Sequence, residues 1–148
     1  MFTVEDAVRI AHRAHHGQVD KAGRAYIAHP LRVMAAVAGE HEKMTAVLHD
    51  VVEDTGVTLD DLRAAGCPEP VLAAVDAISK RPGEDHPDYL ARVAADPLAL
   101  AVKRADIADN SSPARLAALA PNVRDRLRAK YSSAVATLDR LSAGRARR

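Results

Sequence analysis

The stretch Glu42-Lys43-Met44-Thr45-Ala46-Val47-Leu48-His49-Asp50-Val51-Val52-Glu53-Asp54 governs the reading of the whole chain. Met44, Val47, Leu48 and Val51 recur at three- and four-residue steps, the period of an amphipathic helix over about 42–53. The same winding sets Ala46, His49, Asp50 and Glu53 along the adjoining polar edge. Upstream, Thr3 with Asp6 makes a capping box for a helix with Val4, Val8, Ala11 and His15 on one face, ending near Gly17. A loop follows over 17–28, and His29-Pro30 opens a helix through Leu31 and Met34 towards Gly39. Downstream, Thr58 and Asp61 cap a short helix stopped by Gly66, and Val71, Val75 and Ile78 mark the next. A loop with two prolines spans Lys80 to Pro87, then helices are expected over 88–95 and from Pro97 through Leu98, Ala101, Val102 and Ala105 to Asn110. After Ser111-Ser112-Pro113 and a short helix, Leu127, Tyr131, Ala134, Leu138 and Leu141 stripe a long helix over about 122–141, read as core, with Arg145, Arg147 and Arg148 fraying beyond it. No convincing strand is present, so the expected fold is all-α: a single-domain helical bundle over 1–148, closed by the last long helix.

Composition narrows the function classes. The chain has 148 residues, 48% hydrophobic, with 21 Lys+Arg against 20 Asp+Glu and a formal charge of +1. With no basic block before the last residues, nucleic acid is not an expected partner. No run approaches the roughly 20 apolar residues that span a bilayer, so no membrane partner is expected. The single cysteine, Cys67, forms no internal disulfide and supports no thiolate zinc site; a reducing, cytoplasmic location is expected. Oligomeric state is left open. Any metal must be held by imidazole and carboxylate, and seven histidines are available.

His49 and Asp50 are neighbours, with Glu53 and Asp54 four residues after each. Three carboxylates this close repel one another, and a divalent cation bound through His49 and Asp50 would relieve them, leaving Glu53 and Asp54 for acid-base work. A solvated acidic edge is the plain alternative. His29, fixed at a helix start by Pro30, and Asp106, near the polar end of a later helix, are candidates to complete a two-His, two-Asp set. Such ligands suit Mn²⁺, Fe²⁺ or Zn²⁺, with Mn²⁺ favoured for gripping phosphate oxygens and Mg²⁺ also admissible. Of the other reactive types, His15 is expected as a hydrogen-bonded core histidine, His86 as an exposed loop residue and Cys67 as a small buried filler.

Four stretches carry a family resemblance: Ala14-His15-His16-Gly17-Gln18; Gly23-Arg24-Ala25-Tyr26-Ile27-Ala28-His29-Pro30; Leu48-His49-Asp50-Val51-Val52-Glu53-Asp54-Thr55; and Val102-Lys103-Arg104-Ala105-Asp106-Ile107-Ala108-Asp109-Asn110. In this order and spacing the chain resembles the HD phosphohydrolase superfamily, in the branch similar to the (p)ppGpp hydrolase domain of RelA/SpoT proteins, with a metal-site core over about 7–110. The resemblance implies an HD-type all-helical fold and one Mn²⁺-like ion held by His29, His49, Asp50 and Asp106. It also implies Glu53 and Asp54 as the catalytic pair, and Asn110 beside the nucleotide sugar. Lys21, Lys80, Arg81 and Arg92 would neutralise phosphates. The implied reaction removes pyrophosphate from the 3′ position of a guanosine polyphosphate, with a small-molecule nucleotide as partner.

Two departures bear on substrate. Asp20-Lys21-Ala22-Gly23 stands where the alarmone hydrolases read Arg-Lys-Ser-Gly, and Ile107-Ala108-Asp109-Asn110 where they read Arg-x-His-Asn. Asp20 removes a base-holding guanidinium, though its carboxylate is able to accept from base N–H groups. The alternatives are therefore a 5′-nucleotidase or other nucleotide phosphohydrolase of different base preference, and a nucleotide-binding regulatory module without turnover.

Overall fold

The computed structural model describes residues 1–146. Within them the chain runs α1 (Val4–Ala14), α2 (Ala28–Ala35), α3 (Glu40–Leu48), α4 (Val51–Asp54), α5 (Leu59–Ala64), α6 (Glu69–Ile78), α7 (His86–Ala95), α8 (Pro97–Asn110), α9 (Pro113–Ala117) and α10 (Pro121–Ala146). The fold is all-α, as expected; among the described residues the extended structure is an isolated antiparallel bridge between Val19 and Ala25. Local chemistry explains five of the starts. Thr3 and Thr58 each accept from the amide three residues on, and Asp6 and Asp61 return the bond, two complete capping boxes. Asp85, Asp96 and Ser112 cap α7, α8 and α9, each with proline in the first turn.

Four boundaries differ from the sequence reading. The expected helix over 42–53 is two pieces, with His49 and Asp50 as the turn between α3 and α4. The second helix stops at Ala35, short of Gly39, because the Lys43 ammonium donates to the Met34 and Val37 carbonyls at 3.2 and 2.7 Å and satisfies its free end. The seventh begins at His86, since the Asp85 side chain accepts from the Asp88 amide and brings the preceding residues into the first turn. The last helix continues through Arg145 to Ala146; the expected fraying of Arg147 and Arg148 lies outside the described residues.

The α3 segment is central, with Met44, Thr45, Ala46, Val47 and Leu48 all buried and α1, α2, α6 and α8 packed about it. One core cluster, on the α1 side, joins Ala7, Ala11, Val47, Leu48, Val51, Leu62 and Val71. The other, towards α10, joins Val33, Ile78, Leu90, Val93, Val102 and Leu138. Arg92 ties α7 to the end of α6: its guanidinium donates to the carbonyls of Asp76, Ala77 and Ser79 and to both oxygens of Glu84. All its N–H groups are thereby engaged, which corrects the assignment of Arg92 to phosphate. Leu127, Ala134 and Leu138 are buried, so the α10 stripe is core. Leu138 is fully enclosed, and Leu138→Ala is expected to lower unfolding free energy by about 3 kcal/mol in a urea titration. A change below about 1 kcal/mol would show that α10 is not an integral part of the core.

Candidate metal centre and adjoining cavities

The break after α3 creates the centre. In an uninterrupted helix the Ala46 carbonyl would accept from the Asp50 amide; here it accepts from His49 Nδ1 at 2.5 Å. That bond puts the proton on Nδ1 and points the Nε2 lone pair inward. Asp50, at φ −101° and ψ −3°, turns its carboxylate to the same point, with Oδ2 3.1 Å from His49 Nε2. From α2, His29 Nε2 approaches Asp106 Oδ1 at 2.8 Å, and His49 Nε2 lies 3.2 Å from the same oxygen. His29 and His49 are 2% and 3% exposed and Asp106 6%, so these groups meet out of solvent. Thus the four sequence candidates are brought together.

The donor set fits a divalent cation. His29, His49 and Asp50 each offer an atom within 4.8 Å of the others, and Asp106 closes the group through both imidazoles. Ligands about 2.1 Å from one ion stand about 3 Å apart, the spacing observed. The charges ask for a cation as well. Burial alone would raise Asp50, but the His49 imidazole and the Tyr26 hydroxyl hold it down at about 2. Burial likewise opposes the ionised Asp106, and hydrogen bonds from His29 and His49 with the Lys103 charge hold it well below the carboxylate range. Burial opposes a charge on His49, but the Asp50 and Asp106 carboxylates raise its affinity for a proton well above that of an ordinary imidazole. A divalent ion answers the same negative charge with no proton on Nε2.

Around this set stand residues the sequence reading had not placed in the site. Asp109 Oδ2 lies 2.6 Å from His29 Nδ1, and its carboxylate is held by Arg32 at 2.8 Å and Arg115 at 3.0 Å. The Tyr26 hydroxyl donates to Asp50, and burial with that carboxylate drives the phenol far above its usual range. Lys103 pairs with Asp106 at 3.2 Å. The signal was present: Lys103, Asp106, Asp109 and Asn110 follow at three- and four-residue steps on one side of α8. His15 is buried as expected, with Nδ1 2.8 Å from Gln18 Oε1 and its ring 5.0 Å from that of Tyr26.

Two cavities flank the centre and share Asn110 and Tyr131. The first, about 160 Å³, is bounded by His49, Asp50, Glu53, Lys80, Lys103 and Asp106, and His86 also faces it. His86 is therefore half-buried in the first turn of α7, not an exposed loop residue. Glu53 is held at the rim, its Oε1 accepting from the Lys80 amide at 2.6 Å. Asp54 follows Glu53 but is not part of this wall; burial, then Asp50 and Glu53, push its carboxyl up to about 6. The second cavity, about 240 Å³, is bounded by Lys21, Arg24, Tyr26, Arg115, Leu119 and Leu127. Asp20 also borders it, but its Oδ1 accepts from the Ala22 and Arg24 amides at 2.9 Å, holding a turn with Gly23 at φ +82°. Its Oδ2 faces Arg115 at 3.8 Å. The carboxylate expected to accept from a base is thus engaged by the protein. Arg81 lies apart from both cavities, paired with Asp76 at 3.3 Å on the surface.

No family model matches the chain. It is 34% identical over 116 residues to a GTP pyrophosphokinase of Streptomyces coelicolor, covering 70% of this chain and 14% of that protein. A guanosine-3′,5′-bis(diphosphate) 3′-pyrophosphohydrolase of Haemophilus influenzae is 41% identical over 75 residues, 48% of this chain and 11% of the relative. The chain thus spans a small part of the curated relatives it matches. Among solved structures, a metazoan SpoT ortholog that hydrolyses ppGpp superposes with a TM-score of 0.76 at 23% identity, covering 91% of this chain and 84% of its own. The chain is thus similar in sequence to a part of these bacterial enzymes and shares the helical fold of the metazoan SpoT ortholog.

Proposed function

We propose that the chain is a metal-dependent phosphohydrolase that removes pyrophosphate from the 3′ position of (p)ppGpp or a closely similar nucleotide. The observation that carries this reading is the His29, His49, Asp50 and Asp106 set, buried but for the half-buried Asp50, whose His49, Asp50 and Asp106 line a lysine-walled cavity. The names of the Haemophilus relative and of the metazoan neighbour support the substrate class. Mn²⁺ is the proposed ion, held by those four side chains; when bound it would polarise a water and a phosphate oxygen. Glu53, at the cavity rim, is positioned to take the proton of the attacking water, while Asp54, which does not line this cavity, is assigned to the catalytic pair on the family resemblance alone. Water oxygen adds to the phosphorus next to the ribose, the bond to O3′ breaks, and O3′ leaves with a proton as pyrophosphate is released. Asn110, on the wall common to both cavities, is suited to the ribose between them.

In the larger cavity Arg115 and Lys21 offer donors while Asp20 is engaged by the turn. Donors match the O6 and N7 acceptor edge of guanine, and this favours guanine over a base read by its N–H groups. The test is Mn²⁺-supplemented turnover of ppGpp beside nucleoside mono-, di- and triphosphates, with product identification. Pyrophosphate release confined to ppGpp is expected; cleavage of a 5′-nucleotide instead would reassign the substrate, and no turnover by metal-loaded protein would leave a binding module.

Removing ligands and removing the base have separable consequences. His49→Ala or Asp50→Ala is expected to abolish stoichiometric divalent metal, read by elemental analysis, together with turnover. Glu53→Gln is expected to keep the metal and lower kcat by about 100-fold. Full turnover in Glu53→Gln would remove Glu53 from the chemistry.

A further inference from the structure

The lysines of the smaller cavity come from three separate parts of the chain: Lys80 after α6, Lys103 on α8 and Lys130 on α10. Lys80 and Lys103 stand over the same Tyr89 ring, 5.6 and 5.3 Å from its centroid. Lys103 is neutralised by Asp106 at 3.2 Å. Among the described residues Lys80 and Lys130 enter no ion pair, so two uncompensated ammonium groups face one small cavity. Lys130 is not an arbitrary surface lysine. Leu127, Lys130, Tyr131 and Ala134 form one side of α10 at three- and four-residue steps, with Leu127 and Ala134 buried and Tyr131 lining both cavities. Partial burial, and then the charges of Lys80, Lys103 and Lys21, press its ammonium below the usual lysine range. Although Asp50, Glu53 and Asp106 also line this cavity, two lysines with no ion-pair partner of their own mark a place for a polyanion.

We infer that Lys130 of the last helix, with Lys80 opposite, binds the outer phosphate of a diphosphate whose inner phosphate lies at the metal centre. The inference rests on the proposed phosphohydrolase reading and adds to it a residue of α10, outside the four motif stretches. A single phosphate at the metal, itself held by His29, His49, Asp50 and Asp106, would be met by the adjacent Lys103; a second one, further out, needs Lys80 and Lys130. Lys130 is thus a determinant of phosphate-chain length. Its contact is charge-assisted, at the mouth rather than the floor of the cavity, so it acts on affinity more than on the chemical step.

The experiment is calorimetric titration of the Mn²⁺-loaded full chain with inorganic pyrophosphate and, separately, with orthophosphate. Lys130→Ala is expected to weaken pyrophosphate about 10-fold while changing orthophosphate by less than about twofold. Lys130→Arg is expected to restore most of the loss, and Arg126→Ala, on the exposed side of the same helix, to change neither ligand. With ppGpp as substrate, Lys130→Ala should raise KM with little change in kcat. Pyrophosphate binding equal to that of the parent in Lys130→Ala, equal weakening of both anions, or no pyrophosphate binding by the parent would overturn the assignment. Titration does not need turnover, so failure of Lys130 and failure of the hydrolase reading are distinguished.

Discussion

Two carboxylates, the half-buried Asp50 and the buried Asp106, are held beside two buried imidazoles, and much of the surrounding architecture exists to hold them there. Burying a charge costs several kcal/mol unless it is paired and hydrogen-bonded, so each member needs a partner behind it. The partners come from different helices. Asp109 of α8 backs His29 of α2 and is itself gripped by Arg32 and Arg115; the Ala46 carbonyl of α3 backs His49; and Tyr26, from the loop before α2, backs Asp50. Such backing fixes the imidazole tautomer and the ring direction, which a ligand set needs before any ion arrives. It also locks α2, α3 and α8 together at one polar point, with apolar clusters on either side.

The interruption between α3 and α4 shows how function overrides local periodicity. A continuous helix would send the side chains of adjacent residues about 100° apart, and His49 and Asp50 could not address one point. Opening the ladder there frees the Ala46 carbonyl, and the His49 ring takes it up. The hydrogen bond lost by the backbone is thereby replaced, not left unmade. Val51 stays buried through the break, so the apolar stripe continues although the helix does not. For that reason the hydrophobic pattern over 42–53 reads as one helix: period reports which side faces the core and is blind to a two-residue turn that keeps the same side inward.

The helices were legible because their capping chemistry is local. Thr3 with Asp6 and Thr58 with Asp61 bind within one turn, and the prolines after Asp96 and Ser112 leave little choice of boundary. The four candidate ligands were legible as residue types at a helix edge, a helix start and a distant helix end, but their meeting depends on how α2, α3 and α8 pack. Arginines and lysines were the least legible. Arg81 follows Lys80 directly and Arg92 lies further on in α7, yet Arg92 satisfies the carbonyl end of α6 and Arg81 pairs with Asp76, while Lys80 faces the cavity. A long flexible side chain carries its charge several ångströms from its backbone, so sequence position does not say which neighbour it meets. Arg115 reaches the site from α9, beside the end of α8, and Lys130 from α10, which packs against α7 and α8, so both depend on the packing of late elements.

The packing of α10 against α8 also explains why the two cavities are different places. Tyr131 of α10 and Asn110 of α8 form the wall between them, one side carrying the metal ligands and lysines, the other the apolar Leu119 and Leu127 with Arg115. A molecule occupying both must be charged and compact at one end, planar or apolar with acceptors at the other, and narrow where it passes Asn110. The nucleotide proposed as substrate has this shape. Asp20 limits the choice further: its two amide partners make it part of the turn, so the polar recognition offered by this edge comes from donors. Replacing a guanidinium by a carboxylate in that loop leaves the cavity donor-rich, because Arg115 of α9 stands opposite the carboxylate and supplies the positive group from the other side.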